Sequence, residues 1–371
     1  MSANTPLRLL VVLPTWVGDV CMATPTLRLL RERYKGSFLG VLARPGSESL
    51  IDNAGLFDEV HVAKPEGVMG PKRLAQMLRP RRYDTALLLP NSFSTALIAR
   101  IAGIPNRIGY ERDARSFLLT RTVKVPRTPD GRWLPVSLHD YHYNLVARTL
   151  FAAPNTPLPD PNRVIPLPAG RFLELTIDDA EREAGRAVIA RAGLSDADDF
   201  AMLTPGANND AKHWPVDRFA ALARHLVDRH ALPVLVNGAP RESDLANELV
   251  RRADRPGRVI ALPALGLDMH SLKALIARAS LMVTNDTGPR HMGAALGTPL
   301  VSLFGPTDYR LASVPTRGPE IVLKADPSLP LELFANDFPD RCSMDRIEVK
   351  TVLEAADQVL GRVASRATTH S

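Results

Sequence analysis

Short apolar runs alternate with longer amphipathic stretches along the whole chain. The first run, residues 7–13, shows no polar alternation, as a parallel strand buried on both faces requires. A helix is predicted over about 22–34, then strand 38–43, a helix near 47–54, a strand near 59–62 and helix 71–78. Strand 85–89, helix 95–102 and a strand near 107–109 follow. Residues 111–135 are basic and irregular, and a helix over about 140–150 comes after them. Strands alternating with helices predict a parallel, doubly wound sheet.

The pattern then pauses. Residues 154–168 contain six prolines, a stiff extended stretch suited to a domain boundary. After it the alternation resumes: helix 177–192, strand 200–204, helix 216–229, strand 233–237, helix 243–253, strand 259–261 and helix 269–279. Residues 281–307 read as strand, polar loop, small-residue helix, strand. A last helix spans 349–363, and the tail after Ser365 is expected to fray. The fold class is α/β, with two doubly wound domains, 1–170 and 171–371. The last helix has the option of packing back on the first domain. Facing sheets of this kind would bring their strand C-termini to a shared central cleft.

Composition supports this picture. The 371 residues are 45% hydrophobic and 23% charged, enough for two cores. The two cysteines, Cys21 and Cys342, give no disulfide framework and fit a reducing compartment. No run reaches the roughly 18 apolar residues of a membrane helix, and the N-terminus lacks the pattern of a signal peptide. The expected location is the cytoplasm, with peripheral contact at the inner membrane face.

Charge is uneven. Residues 1–170 carry 22 Lys/Arg against 13 Asp/Glu, leaving 24 against 27 for the remainder. The net +6 therefore divides into +9 and −3. A basic first half suits an anionic partner there, or is a solvated basic face. Aromatic content of 5% is thin for interleaved stacking on single-stranded nucleic acid, so no nucleic-acid partner is expected.

Three loops follow strands where chemistry is expected. In the first, Gly18 allows a tight turn and Asp19 lies at or near a helix start; Asp19 is either an N-cap or a general base. The second is Pro205-Gly206-Ala207-Asn208-Asn209-Asp210-Ala211-Lys212-His213-Trp214-Pro215. Lys212 there precedes a helix, where a cation opposes the macrodipole and an anion would relieve it; the alternative is a solvated lysine. The third is Asn285-Asp286-Thr287-Gly288, with His291 one turn on. Thr287 offers a hydroxyl donor, Gly288 permits close backbone approach, and the helix start suits a diphosphate. Asp286 taken alone reads as an Asx turn or N-cap. The chain contains neither a Gly-x-Gly-x-x-Gly fingerprint nor a P-loop, and no His/Cys/carboxylate cluster has metal-ligand spacing. His139 and His142 read as surface or packing residues.

These loops, in this order, resemble those of the ADP-heptose:lipopolysaccharide heptosyltransferases, glycosyltransferase family 9. The resemblance rests on Leu10-Val11-Val12-Leu13-Pro14-Thr15-Trp16-Val17-Gly18-Asp19 with Thr24-Pro25, on Pro205-Gly206-Ala207 with Lys212-His213-Trp214-Pro215, and on Thr284-Asn285-Asp286-Thr287-Gly288 with His291 and Phe304-Gly305-Pro306-Thr307. It implies a GT-B fold, with acceptor bound by the first Rossmann-like domain and nucleotide sugar by the second. It also implies metal-independent, inverting transfer with no cofactor. On this resemblance Asp19 is the base and Lys212 neutralises the departing diphosphate. Thr287, Gly288 and His291 hold the diphosphate or its sugar, and Asp286 orients the heptose or the loop. Gly206 and Asn208 join the donor site, with Glu242 as the ribose contact. Gly18, Arg112, Arg115 and Arg121 face an anionic glycolipid acceptor, with Lys72, Arg73, Arg79, Arg81 and Arg82 as further basic candidates. The chain departs from the pattern at Ala207-Asn208-Asn209, and at Pro289-Arg290 where many relatives carry apolar residues. Another nucleotide sugar, another surface glycan, or a silent nucleotide-sugar-binding protein are the alternatives.

Overall fold

The computed structural model describes residues 7–153 and 157–369, and the chain divides into two compact units, Met1–Arg171 and Phe172–Ser371. Of the proline-rich connector, Pro154, Asn155 and Thr156 lie outside the described residues.

The first unit contains β1 (Arg8–Val12), α1 (Val17–Arg33), β2 (Phe38–Ala43), β3 (Glu59–Val62), α2 (Gly70–Leu78), β4 (Thr85–Leu88), α3 (Phe93–Ile101), β5 (Asn106–Tyr110), β6 (Arg121–Val123) and α4 (Leu138–Arg148). Its sheet has the order β3-β2-β1-β4-β5-β6, and every pairing is parallel. Leu9, Leu10, Val11 and Val12 are all buried, so β1 is covered on both faces. Each such side chain contributes about 1.5–3 kcal/mol on leaving water. Leu10, Val12 and Leu88 pack with Leu74, Leu78, Ile98 and Ile104 in one core.

The second unit contains α5 (Asp179–Arg191), β7 (Ala201–Thr204), α6 (Val216–His230), β8 (Val234–Val236), α7 (Ser243–Ala253), β9 (Val259–Ala261), α8 (Met269–Arg278), β10 (Leu281–Asn285), α9 (Gly288–Leu296), β11 (Leu300–Phe304), α10 (Tyr309–Ala312), β12 (Glu320–Lys324) and α11 (Val349–Thr369). Its sheet, β12-β11-β10-β7-β8-β9, is again all parallel. Within this unit α11 packs on α6, β10, β11 and β12, burying Val352, Ala355, Ala356 and Val359.

Both sheets therefore reverse winding direction at one place: between β1 and β4 in the first, between β7 and β10 in the second. Loops leaving the C-terminal ends of strands at such a switch point diverge and leave a crevice for ligand.

Several expectations are corrected. The structure adds two edge strands, β6 and β12. Both are part-exposed, so neither has the continuous apolar run of a central strand. The stretch near 47–54 forms only a single 3₁₀ turn, Glu48–Leu50. The last helix continues to Thr369, so residues 366–369 are helical, where fraying is expected. Helix α1 starts at Val17, five residues before the expected start, and runs through Pro25. A proline there removes the N–H that would bond the Cys21 carbonyl. The Thr24 hydroxyl donates to that carbonyl at 2.7 Å instead. The Thr24-Pro25 pair is thus self-compensating.

Candidate functional site

The site in the second unit is built from the loops after β7 and β10, the two strands flanking its switch point. Asn285, buried at the end of β10, holds them together: its side-chain amide donates to the Pro205 carbonyl at 2.7 Å and its Oδ1 accepts from the Trp214 N–H at 3.4 Å. Trp214 is itself buried, and its indole N–H donates to the Ile347 carbonyl at 2.9 Å. His213 Nε2 accepts the Ala207 N–H at 2.9 Å, closing the loop on itself. The chain around Lys212 is therefore fixed from both sides.

Lys212 ends a 3₁₀ turn, Asp210–Lys212, and its Nζ donates to Asp286 Oδ2 at 2.9 Å. The macrodipole conflict is resolved by this carboxylate, 74 residues away in sequence. Asp286 is buried, which by itself raises its carboxyl pKa; neighbouring His291 and Lys212 and the Lys212 hydrogen bond outweigh burial, and the net shift is downward. His291 Nε2 lies 3.7 Å from Asp286 Oδ1. Burial, reinforced by the Arg290 charge, pushes the His291 imidazole down to about 3. It is neutral near pH 7, and the cations beside Asp286 are then Lys212 and the buried Arg290. His291 Nδ1 is buried without a hydrogen-bond partner.

Thr287 is the N-cap of α9 in extended conformation, yet its side chain makes no cap hydrogen bond. Its hydroxyl lies 3.5 Å from that of Thr284. Pro289 fills the second helical position, where its missing N–H costs little. The N–H groups of Gly288, Arg290 and His291 are thus left by the Thr287 side chain for an anion. Gly288 itself has no positive φ. Its place is set by the start of a helix, not by a turn only glycine can make. Arg290 is fully buried and ties α9 to its surroundings: it donates to Glu320 Oε1 and Ser302 Oγ and to the Ala312 carbonyl at 2.7 Å.

Gly206 and Glu242 also meet. A Cβ on Gly206 would lie 2.5–2.7 Å from the Glu242 carboxyl atoms, so only glycine lets that carboxylate rest over the loop. Glu242 Oε2 accepts the Ala239 N–H at 2.8 Å, and Arg241 donates to Asn208 Oδ1. Gly206, Asn208, Lys212, Glu242, Asp286 and Thr287 fall on the connections after the C-terminal ends of β7, β8 and β10, and Gly288 and His291 in the first turn of α9 that follows β10. Asn285, Trp214, Arg241 and the buried Arg290 are working parts that sequence reasoning does not single out: Asn285 and Trp214 lie inside the motifs, and nothing local marks the partners of Arg290.

The first unit is different. Gly18 and Asp19 lie within the first turn of α1, which has Trp16 as N-cap and no side-chain cap hydrogen bond. Gly18 has no positive φ, so the tight-turn expectation is corrected. Asp19 is part-buried and is not the N-cap. The expectation that Arg115 faces an acceptor is also corrected: it is fully buried and donates to the carbonyls of Pro90, Ser92 and Tyr110 and to Asn91 Oδ1. It holds the loop after β4, the partner of the Asp19 segment across the switch point. Arg112 and Arg121 are exposed, and Arg112 stacks over Trp133 at 5.0 Å. Arg81 pairs with Glu59 and Arg79 donates to the Ile101 carbonyl, while Lys72, Arg73 and Arg82 are exposed. His142 is buried with both ring nitrogens unpartnered, a packing residue as expected.

Comparison with known proteins identifies the family and the fold. The family model for glycosyltransferase family 9 (heptosyltransferase) matches residues 72–322. Lipopolysaccharide heptosyltransferase 2 of Escherichia coli K12 is 29% identical over 310 residues, 81% of this chain and 83% of that one. The structure of E. coli ADP-heptose lps heptosyltransferase II is 26% identical, with TM-score 0.75 over 96% of this chain and 99% of that one. A family 9 glycosyltransferase structure from Veillonella parvula shares the fold, with TM-score 0.77 at 20% identity, over 96% of this chain and 97% of that one. Two six-stranded parallel sheets with flanking helices, the GT-B fold, and a family model covering well over half of the sequence lead to one conclusion: this chain is a glycosyltransferase and belongs to glycosyltransferase family 9, the heptosyltransferases.

Proposed function

We propose that the protein transfers heptose from ADP-heptose to a lipopolysaccharide core or lipid A-type acceptor, with inversion and without a metal ion or other cofactor. The observation that carries this is the Lys212–Asp286 pair beside the α9 start that its threonine N-cap leaves uncapped, in a chain of this family. The acceptor hydroxyl gives its proton to Asp19 as its oxygen bonds the anomeric carbon. The bond from that carbon to the diphosphate breaks, and the electron pair leaves on the diphosphate oxygen. Negative charge grows there, where Lys212 and the first N–H groups of α9 are already ordered. Donors fixed before the reaction need no reorganisation as charge develops. Neutral His291 adds a hydrogen-bonding group without competing for the charge of Asp286. Asp286, released in part by Lys212, receives the heptose hydroxyls, and Glu242 receives the ribose.

The acceptor is an anionic glycolipid met by the first unit. Exposed Arg112, Arg121, Lys72 and Arg73 supply charge for its phosphates and for the inner face of the cytoplasmic membrane, on which the protein works peripherally from the cytoplasm. Among the described residues no helix is long and apolar enough to cross a membrane. Nucleic acid is not a partner.

The test is a donor panel. Purified protein in EDTA receives ADP-heptose, UDP-glucose or UDP-N-acetylglucosamine, read by thermal shift and then by transfer to a lipopolysaccharide precursor. Selective stabilisation and turnover with ADP-heptose is the expected result. Turnover with a UDP-sugar instead, or a strict need for added metal, overturns the proposal.

A further inference from the structure

Away from the transfer site, the second unit brings together a group that no loop of the family pattern contains. His225 and His230 lie on the C-terminal half of α6, and both present Nε2 to the same atom, Oδ1 of Asp357 on α11, each at 2.7 Å. The three ligand atoms lie within 4.8 Å of one another. The two rings are held 5.6 Å apart at 65°, so they converge on one point without stacking. Two imidazoles and one carboxylate are a donor set preferred by divalent transition metals.

We propose that His225, His230 and Asp357 form a binding site for one divalent transition-metal ion, zinc foremost, which fastens the C-terminal helix α11 to α6. Ligand bonds of about 2.0–2.2 Å need the nitrogens to stand somewhat farther from the oxygen than they do here. Side-chain rotation supplies that opening, because the three side chains are 19%, 24% and 32% exposed. The same exposure leaves room for water to complete the coordination. Arg229 approaches only the other oxygen, Oδ2, at 3.5 Å, and is 66% exposed, so it swings clear. Without metal, the same three residues make a hydrogen-bonded clasp.

The site does no chemistry in transfer. Lys212 precedes the N-terminal end of α6, whereas His225 and His230 sit nine and fourteen residues beyond its first residue, Val216. At 1.5 Å per residue that is about 14 and 21 Å along the helix. What the ion fixes is α11, the helix that lies against α6, β10, β11 and β12. The sequence hid the site because Asp357 is 127 and 132 positions from its partners.

Metal-stripped full-length protein is titrated with Zn²⁺ by calorimetry, and with Co²⁺ by visible absorption. One ion per chain is expected, with cobalt ligand-field bands and a rise in melting temperature that grows with zinc concentration. Asp357→Asn and His230→Gln should each weaken zinc binding at least about tenfold and abolish the bands. His270→Gln, a control at a histidine paired with Glu181, should change neither. Melting of each variant without metal separates loss of a ligand from loss of fold, and His230→Gln carries the test if Asp357→Asn does not fold. No saturable binding by about 100 µM Zn²⁺, or equal binding in both ligand variants, overturns the proposal.

Discussion

The two halves of this protein share one topology and use it differently. Each sheet reverses between two central strands, and each places its candidate chemistry on the loops at that reversal. In the second half, side chains bridge the two loops directly: Asn285 to Pro205 and Trp214, Lys212 to Asp286. In the first half the loop after β4 is held from behind by buried Arg115, and the exposed cations Arg112 and Arg121 are held far less tightly. The difference follows from the tasks proposed. A leaving diphosphate is small and always the same, so its donors gain by being fixed in advance. An anionic glycolipid is large and flexible, and long exposed arginines adapt to it at little cost in stability.

The largest expected effects lie at the reaction itself. Asp19→Asn should lower kcat by roughly 10²–10⁴ with donor affinity unchanged, the signature of a lost base. Normal turnover in that variant removes the assignment. Lys212→Ala should lower kcat/KM by roughly 10²–10³ and weaken ADP-heptose binding as well, measured by steady-state kinetics and calorimetry. Equal damage to donor binding in both variants would erase the contrast between the halves.

Next comes the buried post. Arg115→Leu strands the Pro90, Asn91 and Ser92 acceptors and should cost about 2–4 kcal/mol, read as a fall in the denaturation midpoint. Arg112→Ala and Arg121→Ala should move stability by less than about 0.5 kcal/mol and act on acceptor KM instead. If Arg115→Leu is stable and only acceptor binding suffers, the reading of Arg115 as a structural post is wrong.

A smaller effect concerns pH. Burial, then the nearby His139, pushes His142 down to about 3, and burial does the same to His291. An unfolded histidine takes up its proton near 6.5, so below that pH the unfolded chain binds more protons and stability falls with pH. The loss runs from about pH 6.5 down to about 3 and reaches about 2 kcal/mol per histidine at pH 5. His142→Leu removes a ring with no partner for either nitrogen and should flatten this slope in the first half alone. An unchanged slope would show that His142 is not neutral in the folded state.

Much of this was legible in the sequence because it is written locally. The central strands are continuous apolar runs, since parallel strands are covered on both faces; β2, α7, β9 and β11 fall where the pattern places them. Edge strands β6 and β12 left no such run. The expected α1 start falls late because Gly18 reads as a turn residue, whereas it lies in the first helical turn; Pro25 is tolerated further on because the Thr24 hydroxyl bonds the carbonyl it leaves open. The loops after β7 and β10 stand out as motifs, since backbone N–H groups and small residues must be contiguous to meet one phosphate.

What only the tertiary structure decided are the partnerships. Arg115 reads in sequence like any arginine of a basic stretch, and only burial shows that its guanidinium is committed to backbone carbonyls. Lys212 and Asp286, Gly206 and Glu242, and His225 with His230 and Asp357 join positions tens of residues apart. Sequence periodicity fixes which face of a strand or helix is buried. The distance between two loops, and the charge a buried side chain carries, depend on the order in which strands pair. That order is set by packing across the whole sheet, and no local pattern encodes it.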